Sequence, residues 1–152
     1  MRYYLAYGSS LNIEQMAWRC PGAKPVDTAL IKDWRLSFKG SKTGSYLTID
    51  KCKGYEVPVA VWGVTEAHEA ALDRYEGYPI FYYKRDFVLT FNQSGERHRC
   101  FAYIMRDDAS YGVPSSNYYL GCLDGYKHFK FDENILVDAL VFSERRCWYE
   151  AV

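Results

Sequence analysis

Neither sign of charge prevails in this sequence. Its 19 Lys and Arg are matched by 19 Asp and Glu, so the formal net charge is zero. Nucleic acid and anionic membrane both demand a concentrated positive field, so neither is expected as the main partner. No apolar run approaches the ~18 residues that a spanning helix requires. The opening stretch Met1-Arg2-Tyr3-Tyr4-Leu5-Ala6-Tyr7 is too short and too aromatic for a secretory signal. The cysteines (Cys20, Cys52, Cys100, Cys122 and Cys147) are odd in number and form no CxxC pair. Structural zinc needs closely spaced thiolates or imidazoles, and the sequence has none. The thiols are expected to be reduced, small apolar residues, in a soluble, cytoplasmic protein without structural zinc. A Walker-type phosphate loop is excluded, because no Lys-Ser/Thr follows a second glycine. The G-x-S-x-G elbow of many serine hydrolases is also missing, and His68, His98 and His128 stand isolated.

Aromatic residues, by contrast, are abundant: 15 Tyr, 8 Phe and 4 Trp. Tyrosine gives a pocket apolar walls with hydroxyl tips, although most of these tyrosines read as ordinary strand residues. The 152 residues suit one domain spanning 1–152. A chain of this size buries roughly 68–70% of its unfolded surface without disulfides.

The pattern along the chain predicts strands over 2–7, 28–38, 46–49, 57–64, 82–91 and 97–105. In the second of these, Leu30, Trp34, Leu36 and Phe38 are the alternating apolar positions. Pro58 marks an edge or irregular start for the fourth. A helix is expected from about Ile13 to Arg19, capped by Asn12, with Gln15 placed as in a capping box. Another runs from Thr65 to about Glu76, with Ala67, Ala71, Leu72 and Tyr75 on one face and Gly77 ending it. A third begins near Ser115 or Ser116 and ends near Gly125. The last begins at Asp132, with Ile135, Leu136, Ala139 and Leu140 facing inward. The fold class is therefore α+β: a small mixed, mainly antiparallel β-barrel with flanking helices.

Two segments carry chemistry. In Tyr7-Gly8-Ser9-Ser10-Leu11-Asn12 a strand ends and a helix starts about four residues later. Glycine permits positive φ and close backbone approach. The N–H groups there lack helical acceptors, so they can bind a carboxylate or oxyanion. In Leu72-Asp73-Arg74-Tyr75-Glu76-Gly77, Glu76 occupies the last position of its helix. The helix dipole there disfavours a carboxylate, and burial would raise its pKa further. Such an acid can take and return a proton. A pair with Arg74 or Lys84 accounts for Asp73.

Tyr-Leu-Ala-Tyr-Gly-Ser-Ser-Leu-Asn (4–12) resembles the Y-G-S-N-L signature of the γ-glutamylcyclotransferase superfamily. Leu72-Asp73-x-x-Glu76-Gly77 resembles its second signature, and Pro114-Ser115-x-x-Tyr118 a third block. The likeness covers nearly the whole chain in order and spacing, with Ser10 where the family usually has Asn. It implies a γ-glutamyl small-molecule substrate and cyclisation to 5-oxoproline without a cofactor. It implies Glu76 as general acid/base, and Tyr7, Gly8, Ser9, Ser10, Leu11, Asn12, Tyr83 and Tyr118 as the substrate cradle. Two alternatives stay open: a non-catalytic binding module on the same fold, and a hydrolase using Ser9 or Ser10. Oligomeric state is not encoded in any recognisable motif.

Overall fold

The computed structural model describes residues 1–41 and 44–151. In chain order the elements are β1 (Arg2–Ala6), a 3-10 turn (Ser9–Leu11), α1 (Ile13–Arg19), β2 (Lys24–Ser41), β3 (Gly44–Val64), α2 (Glu66–Glu76), β4 (Tyr82–Thr90), β5 (Arg97–Met105), β6 (Ser110–Tyr111), α3 (Ser116–His128) and α4 (Glu133–Ala151).

The six strands make one sheet in the order β4-β5-β1-β3-β2-β6. Neighbours are antiparallel except β1 and β5, which run parallel. The class is α+β as expected, and the sheet curls into a half-barrel. Among the described residues no ladder joins its edge strands β4 and β6. The β4–β5 turn is instead tied across to β2. The N–H of Asn92 donates to the Thr28 carbonyl at 2.8 Å. The Asp27 carboxylate accepts from the N–H groups of Thr28, Gln93 and Ser94 at 2.7, 2.9 and 3.1 Å.

The segments expected as separate strands at 46–49 and 57–64 are parts of one strand, β3. An irregular stretch joins them: Lys32 of β2 pairs with Glu56, but Trp34 pairs with Lys51. Asp33 absorbs this mismatch at φ 66°, and its carboxylate accepts the Gly54 N–H at 3.0 Å. The alternation then changes parity. Trp34, Leu36 and Phe38 are buried as predicted, but ahead of the bulge Ala29 and Ile31 are buried and Leu30 is not. Shifting a strand by one residue exchanges its faces. Pro58 lies where β3 has β2 on one side only, since the β1 ladder begins at Ala60. That is an edge position of the kind proline accepts.

The core fills the curl with Leu5, Phe38, Ile49, Val59, Val61, Phe101 and Ile104, and with Leu72 and Leu136 from the helices. Thr65 caps α2 by accepting the His68 N–H, while His68 Nδ1 accepts the Thr65 N–H, both at 3.2 Å. Gly77 ends α2 in the left-handed region at φ 65°. Ser115 caps α3, which continues to His128, past the Gly125 end expected from sequence. α4 buries Leu136, Ala139 and Ser143, with Ile135 and Leu140 partly covered. The Ser143 hydroxyl accepts the Phe38 N–H at 2.8 Å.

Candidate active site

The loop after β1, the end of α2 and the start of β4 meet around a cavity of about 380 Å³. Gly8, Ser9 and Ser10 form part of its wall, and Arg74, Tyr75, Glu76 and Gly77 another part. Tyr46 and Leu47 come from β3, Phe81 and Tyr82 from the approach to β4, Tyr103 from β5 and Tyr118 from α3. Tyr4 and Tyr7 complete the lining.

Glu76 is partly buried, at the cavity edge of α2. Desolvation raises its pKa from 4.5 to about 7, and the positive charge of Arg19 opposes that rise. The tyrosines around it do not compete for its proton. Burial pushes Tyr4, Tyr7, Tyr82 and Tyr118 well above the ordinary tyrosine range, and the Glu76 carboxylate adds to the rise at each. They stay neutral where Glu76 titrates. This isolates one group able to exchange a proton near neutral pH.

Three of the lining tyrosine hydroxyls are tied down by backbone. Tyr7 donates to the Tyr103 carbonyl at 2.6 Å. Tyr82 donates to the Leu47 carbonyl at 2.9 Å, and Tyr118 accepts the Leu47 N–H at 3.0 Å. Leu47 thus has both backbone groups held by aromatic side chains that line the cavity. Tyr103 donates to Asp73 at 2.6 Å, and Lys84 pairs with Asp73 at 2.8 Å. That is the Lys84 partner expected for Asp73.

In the loop, the Leu11 and Asn12 N–H groups donate to the Gly8 and Ser9 carbonyls, each at 3.0 Å. Among the described residues no acceptor takes the Ser9 or Ser10 N–H. Gly8 does not use positive φ, as its sequence context suggested; it sits at φ −123° and ψ −130°. Close approach explains the glycine: a Cβ there would lie 3.3 Å from the Tyr118 hydroxyl and 3.4 Å from Leu47 Cβ.

Of the residues expected in the cradle, Tyr7, Gly8, Ser9, Ser10 and Tyr118 line the cavity together with Glu76. Leu11, Asn12 and Tyr83 do not. Leu11 is fully buried against Gly125 of α3. Asn12 accepts the Gln15 N–H at 3.0 Å and donates to the Gly121 carbonyl at 3.1 Å, so it anchors α1 to α3. The capping box is only half made there, because the Gln15 side chain turns to Arg19. Tyr82 takes the place expected for Tyr83, since adjacent strand residues face opposite ways.

Arg19 was missed entirely. Its Nη1 donates to the Ser9 and Ser10 hydroxyls at 3.2 and 3.1 Å, and its Nη2 to the Tyr75 hydroxyl at 2.7 Å and to Gln15 Oε1. Asn12, Gln15 and Arg19 recur at helical spacing, and that shared face was the available signal. Among the described residues no histidine or cysteine lines the cavity. His68 is committed to its helix cap and to the Pro21 carbonyl, 2.7 Å away. His98 packs against Tyr3 and Phe91, and His128 against Phe129. Neither Ser9 nor Ser10 therefore has an imidazole base beside it among the described residues.

A family model described as Gamma-glutamyl cyclotransferase, AIG2-like matches residues 4–120. Curated relatives from Bos taurus and Homo sapiens, each named Gamma-glutamylcyclotransferase, are 33% identical over 123 and 122 residues. These alignments cover 76% of this chain and 64% of each relative, so the chain spans less than two thirds of their length. A solved structure named Gamma-glutamyl cyclotransferase superposes with a TM-score of 0.80 at 26% identity, covering 91% of this chain and 85% of its own. An AIG2-like protein from Mus musculus shares the fold at 18% identity and a TM-score of 0.58, over 78% of this chain and 82% of its own.

Proposed function

The chain belongs to the γ-glutamyl cyclotransferase, AIG2-like family, and from that premise we propose that it converts a γ-glutamyl amine or γ-glutamyl amino acid to 5-oxoproline and a free amine. The α-amine of the γ-glutamyl group attacks its own γ-carbonyl carbon. A C–N bond closes the five-membered ring, and the bond from that carbon to the departing nitrogen breaks. One proton leaves the attacking nitrogen and one arrives on the departing nitrogen, so no water is consumed. Glu76 carries that proton in both directions.

What carries this reading is a single carboxyl group on the cavity, its pKa pushed up to about 7 by desolvation, together with loop N–H groups that no acceptor among the described residues takes. At neutral pH such a group is divided between base and acid, the condition for doing both jobs in one cycle. The Ser9 and Ser10 N–H groups would bind the substrate carboxylate or the developing oxyanion. The reaction is already intramolecular, so the rest of the site acts by holding a reactive rotamer. Tyr82 and Tyr118, fixed to Leu47, give that holding surface its shape.

A binding module on the same fold would keep the cavity and dispense with the proton carrier. Incubation with a panel of γ-glutamyl amines and γ-glutamyl amino acids separates the readings. Release of 5-oxoproline supports cyclotransfer. Release of glutamate would mark a hydrolase, and saturable binding without products would mark a binding protein.

A further inference from the structure

Arg19 stands behind the loop wall of the cavity and reaches the end of α2. One terminal nitrogen serves both loop serines, at 3.2 and 3.1 Å, and the other serves Tyr75 at 2.7 Å, the residue before Glu76. Its guanidinium also lies 3.6 Å from the centre of the Tyr75 ring, and the Ser9 and Tyr75 hydroxyls are themselves 3.2 Å apart. The two walls that must grip the substrate belong to different elements, and this guanidinium bridges them. We infer that Arg19 is a positioning residue that locks the Gly8–Ser10 loop to the end of α2 and fixes the charge environment of Glu76. This rests on the cyclotransferase reading for its kinetic consequences, but not for its effect on the carboxyl group itself.

The chemistry fits arginine and not merely a positive charge. A guanidinium is planar and presents several donors in fixed directions, whereas an ammonium is a compact point charge on a flexible stem. Because a guanidinium only donates, both serine hydroxyls act as acceptors toward it. Their orientation is thus set from behind, on the side away from substrate. Ser10 takes part directly, so the residue that departs from the family pattern is already held by a partner.

The titratable groups around Glu76 come from seven elements. Arg19 is on α1, Tyr4 on β1 with Tyr7 just beyond it, Tyr46 on β3, Arg74 and Tyr75 on α2 itself, Tyr82 on β4, Tyr103 on β5 and Tyr118 on α3. Tyr4, Tyr7, Tyr82 and Tyr118 stay neutral because burial keeps their pKa values high. Of these groups, Arg19 is the one whose charge acts on the carboxyl, lowering its pKa against burial. Removing that charge should raise the pKa above about 7, and keeping the charge without the fork should leave it nearly unchanged.

The test is a carbon-13 NMR titration of the Glu76 carboxyl in the wild type, Arg19→Met and Arg19→Lys, alongside kcat and KM across pH. Thermal melts confirm that each variant is folded. Arg19→Met should move the midpoint upward and reduce kcat/KM by about 100-fold, as misplacement of a reacting group does. The acidic limb of its pH profile should move upward with the titration. Arg19→Lys should keep the wild-type midpoint yet lose kcat, since one ammonium cannot hold Ser9, Ser10 and Tyr75 together. Should Arg19→Met not fold, Arg19→Lys with Tyr75→Phe carries the test: both keep the charge, so both should keep the midpoint and lose kcat. An unchanged midpoint in Arg19→Met, or wild-type kcat in Arg19→Lys, would overturn the inference. If no γ-glutamyl compound is turned over, the titration still decides the effect of Arg19 on Glu76, and the cyclotransferase reading fails separately.

Discussion

A carboxylate in the last turn of a helix faces the negative end of the helix dipole, and at Glu76 desolvation adds to that penalty. The result is a pKa of about 7, with Arg19 limiting the rise. This has a thermodynamic consequence that can be measured without substrate. The folded pKa lies above the ordinary 4.5, so the native state holds this proton more tightly than the unfolded chain does. Its contribution to stability is fully present below about pH 4.5 and is lost as pH rises through about 7. Glutamine does not titrate. Glu76→Gln should therefore gain stability over the wild type between those limits, by on the order of 1–3 kcal/mol above pH 7. Denaturant melts at pH 4 and pH 8 check this, and a stability difference that does not grow with pH would contradict the buried-carboxyl account. A residue that costs stability and sits on a cavity is the pattern expected of a functional group.

Among the elements, the loop after β1 depends on how tightly α3 and β3 close on it. Gly8→Ala would place a Cβ 3.3 Å from the Tyr118 hydroxyl, which must give by a few tenths of an ångström, and in contact with Leu47 Cβ at 3.4 Å. The expected outcome is a folded protein with kcat/KM reduced on the order of 10-fold, less than the ~100-fold that a full 1 Å misplacement costs. Wild-type kinetics for Gly8→Ala would mean that the loop does not need this register. Much of this arrangement was legible in the sequence. Thr65, Gly77 and Ser115 announce helix ends through local chemistry, and α2 with Glu76 at its end follows from them. What escaped depends on long-range geometry. The positive φ at Asp33 reverses the buried parity of β2, so Leu30 was expected inside and Ala29 and Ile31 are found there. The choice between Tyr82 and Tyr83 turns on strand register, which adjacent tyrosines do not reveal. Arg19 reads as a helix-end cation until the loop and α2 are brought against it.

At the scale of the whole molecule, the half-barrel brings together segments far apart in sequence. β1 and its loop, the end of α2, β3 at Leu47 and α3 at Tyr118 share one cavity. The residues on it divide into those that hold geometry and one that titrates near neutrality. Tyr82 and Tyr118 are engaged with Leu47, and Arg19 holds the loop from behind it, while Glu76 is the group proposed to move a proton. The most direct measurement is the rate of 5-oxoproline release by the wild type and by Glu76→Gln, at saturating concentration of the best substrate in a γ-glutamyl panel. The account predicts release by the wild type and a kcat lower by about 10²–10⁴-fold in the variant, with the fold and much of the substrate affinity retained. A Glu76→Gln protein that releases 5-oxoproline at the wild-type rate would contradict it.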